Sequence, residues 1–184
     1  MGYKININYQ LSTLFGLGRL PGGGTWASLV VLLSALLVKD PFDILLFLCL
    51  SMTIFAHSIY KNSLPFFTSK DPKEFVLDEV FGMALALTIV NVSSDIFGNI
   101  AFNLPDYINN HQLVFITTFI LFRIFDISKI GPVGWTEDQT TAPLWWKNLD
   151  IADGEYSRVI GDDIVAAFLS SGIVIILMLM YGWL

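Results

Sequence analysis

Acidic side chains in this sequence stand where apolar stretches begin or end, in three groups that are far apart along the chain. Carboxylate oxygens are hard ligands, and they suit Mg²⁺ or another octahedral cation better than Zn²⁺. Acids at the edge of an apolar segment are costly to keep, so their recurrence indicates a functional site. In chain order they are Asp78 and Glu79, then Asp126, then Asp162 and Asp163.

Two basic side chains, Arg123 and Lys129, lie on either side of Asp126 in the sequence. A divalent ion together with fixed cations neutralises the oxygens of a phosphoryl group, while a carboxylate orients the nucleophile. The glycine-rich turn at residues 22–25, which includes Gly24 and Thr25, can bring backbone N–H groups to the same phosphate. These residues predict a site that binds a divalent cation together with a phosphate-bearing substrate.

Each of these features also has a simpler interpretation when it is taken alone. Asp162 or Asp163 can cap a helix, and Arg123 with Asp126 can form an ion pair one helical turn apart. A glycine-rich turn before an apolar helix is common. Their joint occurrence on one side of a membrane favours a site.

Five apolar stretches must position these residues. Hydrophobic residues make up 54% of the chain and charged residues 14%, with a mean hydropathy of +0.65, which exceeds the usual balance of a soluble protein. We therefore predict an all-α, compact helical membrane protein with about five apolar helices, forming a single domain over residues 1–184. The stretches are residues 20–38, 44–60, 80–94, 113–122 and 164–184.

The basic residues predict an orientation for these helices. If all five stretches cross the membrane, every one of the ten Lys and Arg residues except Lys39 falls on the same side. Such an excess marks the cytoplasmic side. The three acidic groups and residues 22–25 fall on that side too, so we predict acidic motifs at the cytoplasmic ends of the helices.

Net charge and cysteine content exclude other kinds of site. A formal net charge of -6 and a pI near 4.6 argue against nucleic-acid binding, which needs a basic surface. The single cysteine, Cys49, leaves no intrachain disulfide and no cysteine-based zinc site. The acids are therefore candidates for binding cations.

Four short motifs carry a resemblance to a known family. They are GLGRLP at residues 16–21 with GTWASL at 24–29, LDEVFG at 77–82, FRIFDISK at 122–129 and GDDIVA at 161–166. In this order they resemble the bacterial phosphatidylglycerophosphatase A family, and they span most of the chain. The family usually has Pro-Gly-Thr where this chain has Gly23-Gly24-Thr25, and Lys-Pro where it has Lys129-Ile130.

The resemblance implies a magnesium-dependent phosphatase of the bacterial inner membrane that converts phosphatidylglycerophosphate to phosphatidylglycerol, a step of phospholipid biosynthesis. The implied partners are this lipid and the membrane, with the active site facing the cytoplasm. By motif position, the implied catalytic residues are Asp126, Asp78, Arg123 and Lys129. The implied phosphate-binding residues are Gly24, Thr25, Arg123 and Lys129, and the implied metal ligands are Asp78, Glu79, Asp126, Asp162 and Asp163.

Two other functions fit parts of the sequence. A small channel or transporter would line a cation path with acids in the middle of its spans, whereas these acids lie at span ends. A CDP-alcohol phosphotransferase is also membrane-bound and rich in acids, but its long aspartate-and-glycine signature within one segment is absent. The phosphatase is the function that we predict. Its mechanism would be metal-assisted hydrolysis of a phosphomonoester, either by direct attack of water or through a phospho-aspartate intermediate.

Overall fold

The computed structural model describes residues 6–69, 72–101, 107–137, 143 and 155–181, and these residues form helices and short connections without any strand. This confirms the predicted all-α fold. Two short 3-10 turns, Leu17–Arg19 and Leu64–Phe66, accompany the α-helices. The α-helices are α1 Ile7–Ser12, α2 Gly23–Leu37, α3 Phe42–Ser63, α4 Leu77–Ala101, α5 Tyr107–Ser128, α6 Pro132–Glu137 and α7 Glu155–Tyr181.

Four of the described helices are long and apolar enough to cross a membrane, in segments Phe42–Phe66, Leu77–Ile96, His111–Ser128 and Val159–Met180. The remaining apolar helix, α2, has 15 residues. It is therefore about 22 Å long, whereas a bilayer core is about 30 Å thick. The prediction of about five apolar helices is confirmed, with α2 as a short fifth helix.

Large apolar side chains cover the outside of these helices. Phe47 is 67% exposed, Ile54 65% and Ile176 56%. In a protein whose long helices are this apolar, such outward faces are the ones that contact lipid tails. The prediction that Lys4, Lys70 and Lys147 share a side with the acids lies outside the described residues.

Helix α4 is the centre of the bundle, because it packs against α2, α3, α5 and α7. Its side chains Met83, Leu87 and Val90 are fully buried. Small residues on the same helix, including Ala84 and Ala86, are also fully buried and let neighbouring helices approach closely. The site residues at the start of α4 are therefore held by a rigid, central element.

Helix α5 extends beyond its apolar stretch and ends at Ser128, just before Lys129. Lys129 has a left-handed backbone (φ 50°), and its N–H bonds the carbonyl of Phe125 at 2.9 Å, which is how α-helices commonly end. Gly131 is also left-handed (φ 62°), and Pro132 opens α6. This turn directs Lys129 back towards the bundle.

Helix α7 begins at Glu155, well before its apolar stretch. Asp162 and Asp163 therefore lie about two turns inside the helix, and the interpretation that they cap it is wrong. Short α6 packs against this first part of α7, with the side chain of Thr136 facing Gly161. Packing against α6 stabilises the first turns of α7, and a hydropathy profile does not detect such contacts between distant residues.

Candidate active site

The three acidic groups come from different helices and meet at one end of the bundle. Asp78 and Glu79 lie in the first turn of α4, and Asp163 projects from α7. Each of these three carboxylates places one oxygen within 4.8 Å of the others. Asp163 is 2% exposed, and the other two are partly buried. Such a group of buried oxygens is suited to a divalent cation.

Gly82 allows α4 and α7 to approach closely beside these acids. A Cβ atom added at Gly82 would lie 2.8 Å from the Cβ of Asp163 and 2.9 Å from the Cζ of Phe122. Both distances are shorter than normal carbon contacts of about 3.5–4.0 Å. Asp163 reaches Asp78 and Glu79 because residue 82 has no side chain.

The glycine-rich turn brings the first turn of α2 to the same place. Gly22 has a left-handed backbone (φ 71°) that favours glycine, and α2 begins directly after it. Gly24 lies against Glu79, because an added Cβ would overlap the Glu79 carboxylate. Thr25 follows on the same turn and is partly buried. The positive end of the α2 dipole therefore faces the acids, which favours negative charge there.

The remaining two acids are paired with cations. Asp126 forms two ion pairs: its Oδ2 lies 2.6 Å from the Nη1 of Arg123, and its Oδ1 lies 3.3 Å from the Nζ of Lys129. Lys129 also pairs with Asp162, so it links α5 to α7. Asp162 is next to Asp163 in α7, so these ion pairs adjoin the group formed by Asp78, Glu79 and Asp163. The five acids and two cations thus form one electrostatic cluster.

Ser28 is a site residue that the sequence interpretation did not single out. Its hydroxyl is fully buried, donates to the carbonyl oxygen of Gly24 at 2.9 Å, and accepts from the Nη1 of Arg123 at 3.4 Å. It therefore connects the glycine-rich turn on α2 to the cation on α5. The sequence feature that could have identified Ser28 as a site residue is its position four residues after Gly24, because residues at this spacing share a face of a helix.

Three buried polar atoms in this cluster lack a hydrogen-bond partner within the described part of the chain. They are Oε2 of Glu79, Oδ1 of Asp163 and Nε of Arg123. Buried polar atoms nearly always have partners, and an unpaired buried charge is strongly unfavourable. Two acceptors need a positive partner and one donor needs a negative partner, so the residues fit a divalent cation next to an anionic oxygen.

The structure places every predicted site residue among the described residues, at or near this end of the bundle. Asp78, Glu79 and Asp163 form the tight acidic group. Asp126 pairs with Arg123 and Lys129, and Asp162 pairs with Lys129. The individual roles of these residues stay predictions.

Fold and site together define a class: a helical protein with apolar helices long enough to cross a membrane, and with a cluster of five acidic and two basic side chains at one end of the bundle. Within that class, the family model described as phosphatidylglycerophosphatase A matches residues 10–178, and the chain belongs to that family. The predicted resemblance is confirmed, and it implies an enzyme with phosphatidylglycerophosphatase activity. No curated protein and no solved structure matched the chain.

Proposed function

We propose that this protein is a Mg²⁺-dependent phosphatase that hydrolyses phosphatidylglycerophosphate to phosphatidylglycerol and phosphate in the bacterial inner membrane. The observation that carries the proposal is the set of unpaired buried atoms: Glu79 Oε2 and Asp163 Oδ1 on the acidic side and Arg123 Nε on the basic side. A metal ion and a phosphate bound together would satisfy all three.

In this proposal, Asp78, Glu79 and Asp163 hold Mg²⁺, which when bound supplies positive charge to the phosphoryl oxygens. Arg123 is fixed by Asp126 and by the Ser28 hydroxyl, so its unpaired Nε is oriented in advance towards a phosphate oxygen. Arginine and lysine both bind phosphate well, and pre-organised donors need no rearrangement during the reaction.

The reaction breaks the bond between phosphorus and the glycerol oxygen and forms a bond from phosphorus to the nucleophile. If the nucleophile is water, its proton needs an acceptor, and the leaving oxygen gains a proton. Asp78 carries the first role in our proposal: one of its carboxylate oxygens would hold the metal, and the other would accept the proton. Asp126 holds Arg123 and Lys129 in position for the phosphate.

The membrane helices fit a lipid substrate. Their outer faces are apolar, and the acids lie where the spans α4 and α5 begin and end. A phospholipid can therefore keep its acyl chains in the bilayer while its terminal phosphate reaches the site. Three described basic residues also lie on the acidic side, which supports a cytoplasmic site. They are Arg19 in the first 3-10 turn, Lys61 in the last turn of α3 and Lys73 just before α4.

The direct test is phosphate release from phosphatidylglycerophosphate by the purified protein in mixed micelles. We expect activity to disappear with excess EDTA and to return when Mg²⁺ is added. Asp163→Asn should lower turnover by about 100-fold, comparable to the loss of one oriented charge-stabilising group. Asp43→Asn makes the same change at an exposed acid in the first turn of α3, away from the site, and should leave turnover unchanged.

Full activity in excess EDTA would refute the metal-dependent mechanism. Failure of the folded protein to release phosphate under any metal condition would refute the proposed activity itself. Folding can be checked independently by the thermal unfolding transition of each variant.

A further inference from the structure

Arg19 is a cation beside the candidate active site that the proposed function does not use. It belongs to the GLGRLP motif and to the 3-10 turn Leu17–Arg19. Its side chain is exposed, and its Cζ lies 4.9 Å from the centroid of the Tyr9 ring. Among the ion pairs of the described residues, none involves Arg19. Contact with a ring face leaves N–H groups of the guanidinium available to an anion.

Contacts between glycines place this turn beside the acids. A Cβ added at Gly23 would overlap the carbonyl oxygen of Gly18 and lie 2.8 Å from its Cα. Gly24, the next residue, lies against the Glu79 carboxylate. Because consecutive Cα atoms are about 3.8 Å apart, the Cα of Arg19 is at most about 12 Å from that of Gly24. Arg19 therefore lies at the edge of the site, outside the acidic group itself.

The backbone before Arg19 is strained. Leu14 and Phe15 are left-handed (φ 46° and 55°), and Gly16 follows with φ 94°. The N–H groups of Gly16 and Gly18 both donate to the carbonyl oxygen of Thr13, at 3.0 and 2.9 Å. A left-handed backbone is unfavourable for residues other than glycine, and such strain occurs mostly in functional segments. The geometry of this turn thus supports a functional role.

The turn lies at the level of lipid head groups. The N–H of Val76 donates to the carbonyl oxygen of Ser12 at 3.0 Å, and the membrane segment of α4 begins directly after Val76. Two apolar side chains near Arg19 are exposed, Phe15 at 70% and Leu20 at 47%. At the membrane surface, apolar side chains can enter the lipid while a neighbouring cation meets phosphate groups.

The proposed substrate carries a second phosphate for which the site has not yet supplied a cation. The terminal phosphomonoester of phosphatidylglycerophosphate is the group that is hydrolysed. One glycerol unit away, a negatively charged phosphodiester connects it to the glycerol that bears the acyl chains. Arg123 and Lys129 are assigned to the terminal phosphate, and Asp126 holds both of them. The phosphodiester needs a different cation, closer to the membrane surface.

We propose that Arg19 binds the phosphodiester group of the lipid while the terminal phosphate lies at the metal site. This inference rests on the proposed phosphatase function and adds a residue that selects the substrate. Arginine can bind phosphate oxygens through two parallel N–H groups, so it fixes orientation as well as neutralising charge. Phosphatidic acid has one phosphate and cannot make this contact when that phosphate is at the metal site.

A substrate analogue with a neutral linkage tests the proposal on the full-length protein. In this analogue, a methylphosphonate ester replaces the phosphodiester of phosphatidylglycerophosphate, which removes the charge and keeps the acyl chains and the terminal phosphate. We expect the unmodified protein to hydrolyse the analogue with a kcat/KM about tenfold lower, as the loss of a charge-assisted hydrogen bond predicts. Arg19→Gln should lose about tenfold with phosphatidylglycerophosphate and should no longer distinguish the two substrates. A purely structural effect would lower both rates and keep the preference.

Lys61→Gln is the matched control, because Lys61 is another exposed cation on the acidic side, in the last turn of α3. It should keep both the activity and the preference. An unchanged preference in Arg19→Gln, or an equal loss of preference in Lys61→Gln, would overturn the proposal. Equal kcat/KM for the two substrates with the unmodified protein would also overturn it, even if Arg19→Gln does not fold, and would leave the phosphatase function intact. Release of phosphate from neither substrate would instead refute the phosphatase function.

Discussion

Replacement of Gly82 by alanine tests whether close packing of α4 on α7 holds the acids in place. The added Cβ would lie 2.8 Å from the Cβ of Asp163, 2.9 Å from the Cζ of Phe122 and 3.0 Å from the Asp163 carbonyl oxygen. Normal contacts between carbon atoms are about 3.5–4.0 Å, so α4 and α7 must separate by about 1 Å. Overpacking of this kind costs about 1–3 kcal/mol of folding free energy.

That separation moves the Asp163 carboxylate away from Asp78 and Glu79. A displacement of about 1 Å at a reacting site can lower the rate by about 100-fold. We expect Gly82→Ala to lower kcat/KM for phosphatidylglycerophosphate by about 10- to 100-fold and to require more Mg²⁺ for half-maximal activity. Phosphate release over a Mg²⁺ titration measures both, and the thermal unfolding transition reports the stability.

Gly172→Ala is the matched control for this experiment. It makes the same change within α7, where an added Cβ meets no atom within 4 Å. Alanine also favours a helix over glycine by up to about 1 kcal/mol. We expect this variant to be as active as the unmodified protein and at least as stable. If Gly82→Ala loses stability but keeps its kcat/KM and its Mg²⁺ requirement, close packing at Gly82 does not position the Asp163 carboxylate for activity.

The remaining predictions concern the metal, the phosphate, the lipid and the topology. Gly24→Ala should push the Glu79 carboxylate aside and raise the Mg²⁺ concentration for half-maximal activity about tenfold, and an unchanged Mg²⁺ titration would contradict this. Lys129→Ala should lower kcat/KM about 10- to 100-fold for both phosphatidylglycerophosphate and glycerol 3-phosphate, because we propose that Lys129 binds the phosphate that the two substrates share. A loss with only one substrate would argue against that role. The unmodified protein should hydrolyse glycerol 3-phosphate and phosphatidic acid far more slowly than phosphatidylglycerophosphate, because binding of the parts of the lipid distant from the reacting phosphorus contributes to turnover. Comparable kcat/KM values for the three substrates would show that the helices only anchor the protein in the membrane. In a Cys49→Ala background, an impermeant thiol reagent should label Asp43→Cys but not Lys73→Cys in intact cells, and the reverse would place the acids outside.

The gathering of the acids could be predicted from the sequence because alternate ends of consecutive membrane helices lie on the same side. Asp78 precedes one apolar stretch and Asp126 follows the next, so a simple up-and-down path brings them together. Arg123 and Lys129 are each three residues from Asp126, about one turn away at the same helix end, and their ion pairs follow from that spacing. These inferences need only hydropathy and helix geometry.

The contacts that fix the site could not be predicted in the same way. Gly82 and Ser28 act through residues that are distant in sequence, and nothing in their own neighbourhood shows which helix they face. The start of α7 was misjudged because its first turns are polar and depend on packing against α6. Both are consequences of tertiary packing.

Equilibrium binding of Mn²⁺, measured by electron paramagnetic resonance on the purified protein, tests the central claim most directly. Mn²⁺ accepts the same oxygen ligands as Mg²⁺ and reports its own binding. We expect the unmodified protein to bind Mn²⁺ and Mg²⁺ to displace it. Asp163→Asn should bind Mn²⁺ at least about tenfold more weakly, with a parallel loss of phosphate release. Equal Mn²⁺ affinity in the two proteins, or turnover by a protein that binds no divalent cation, would contradict it.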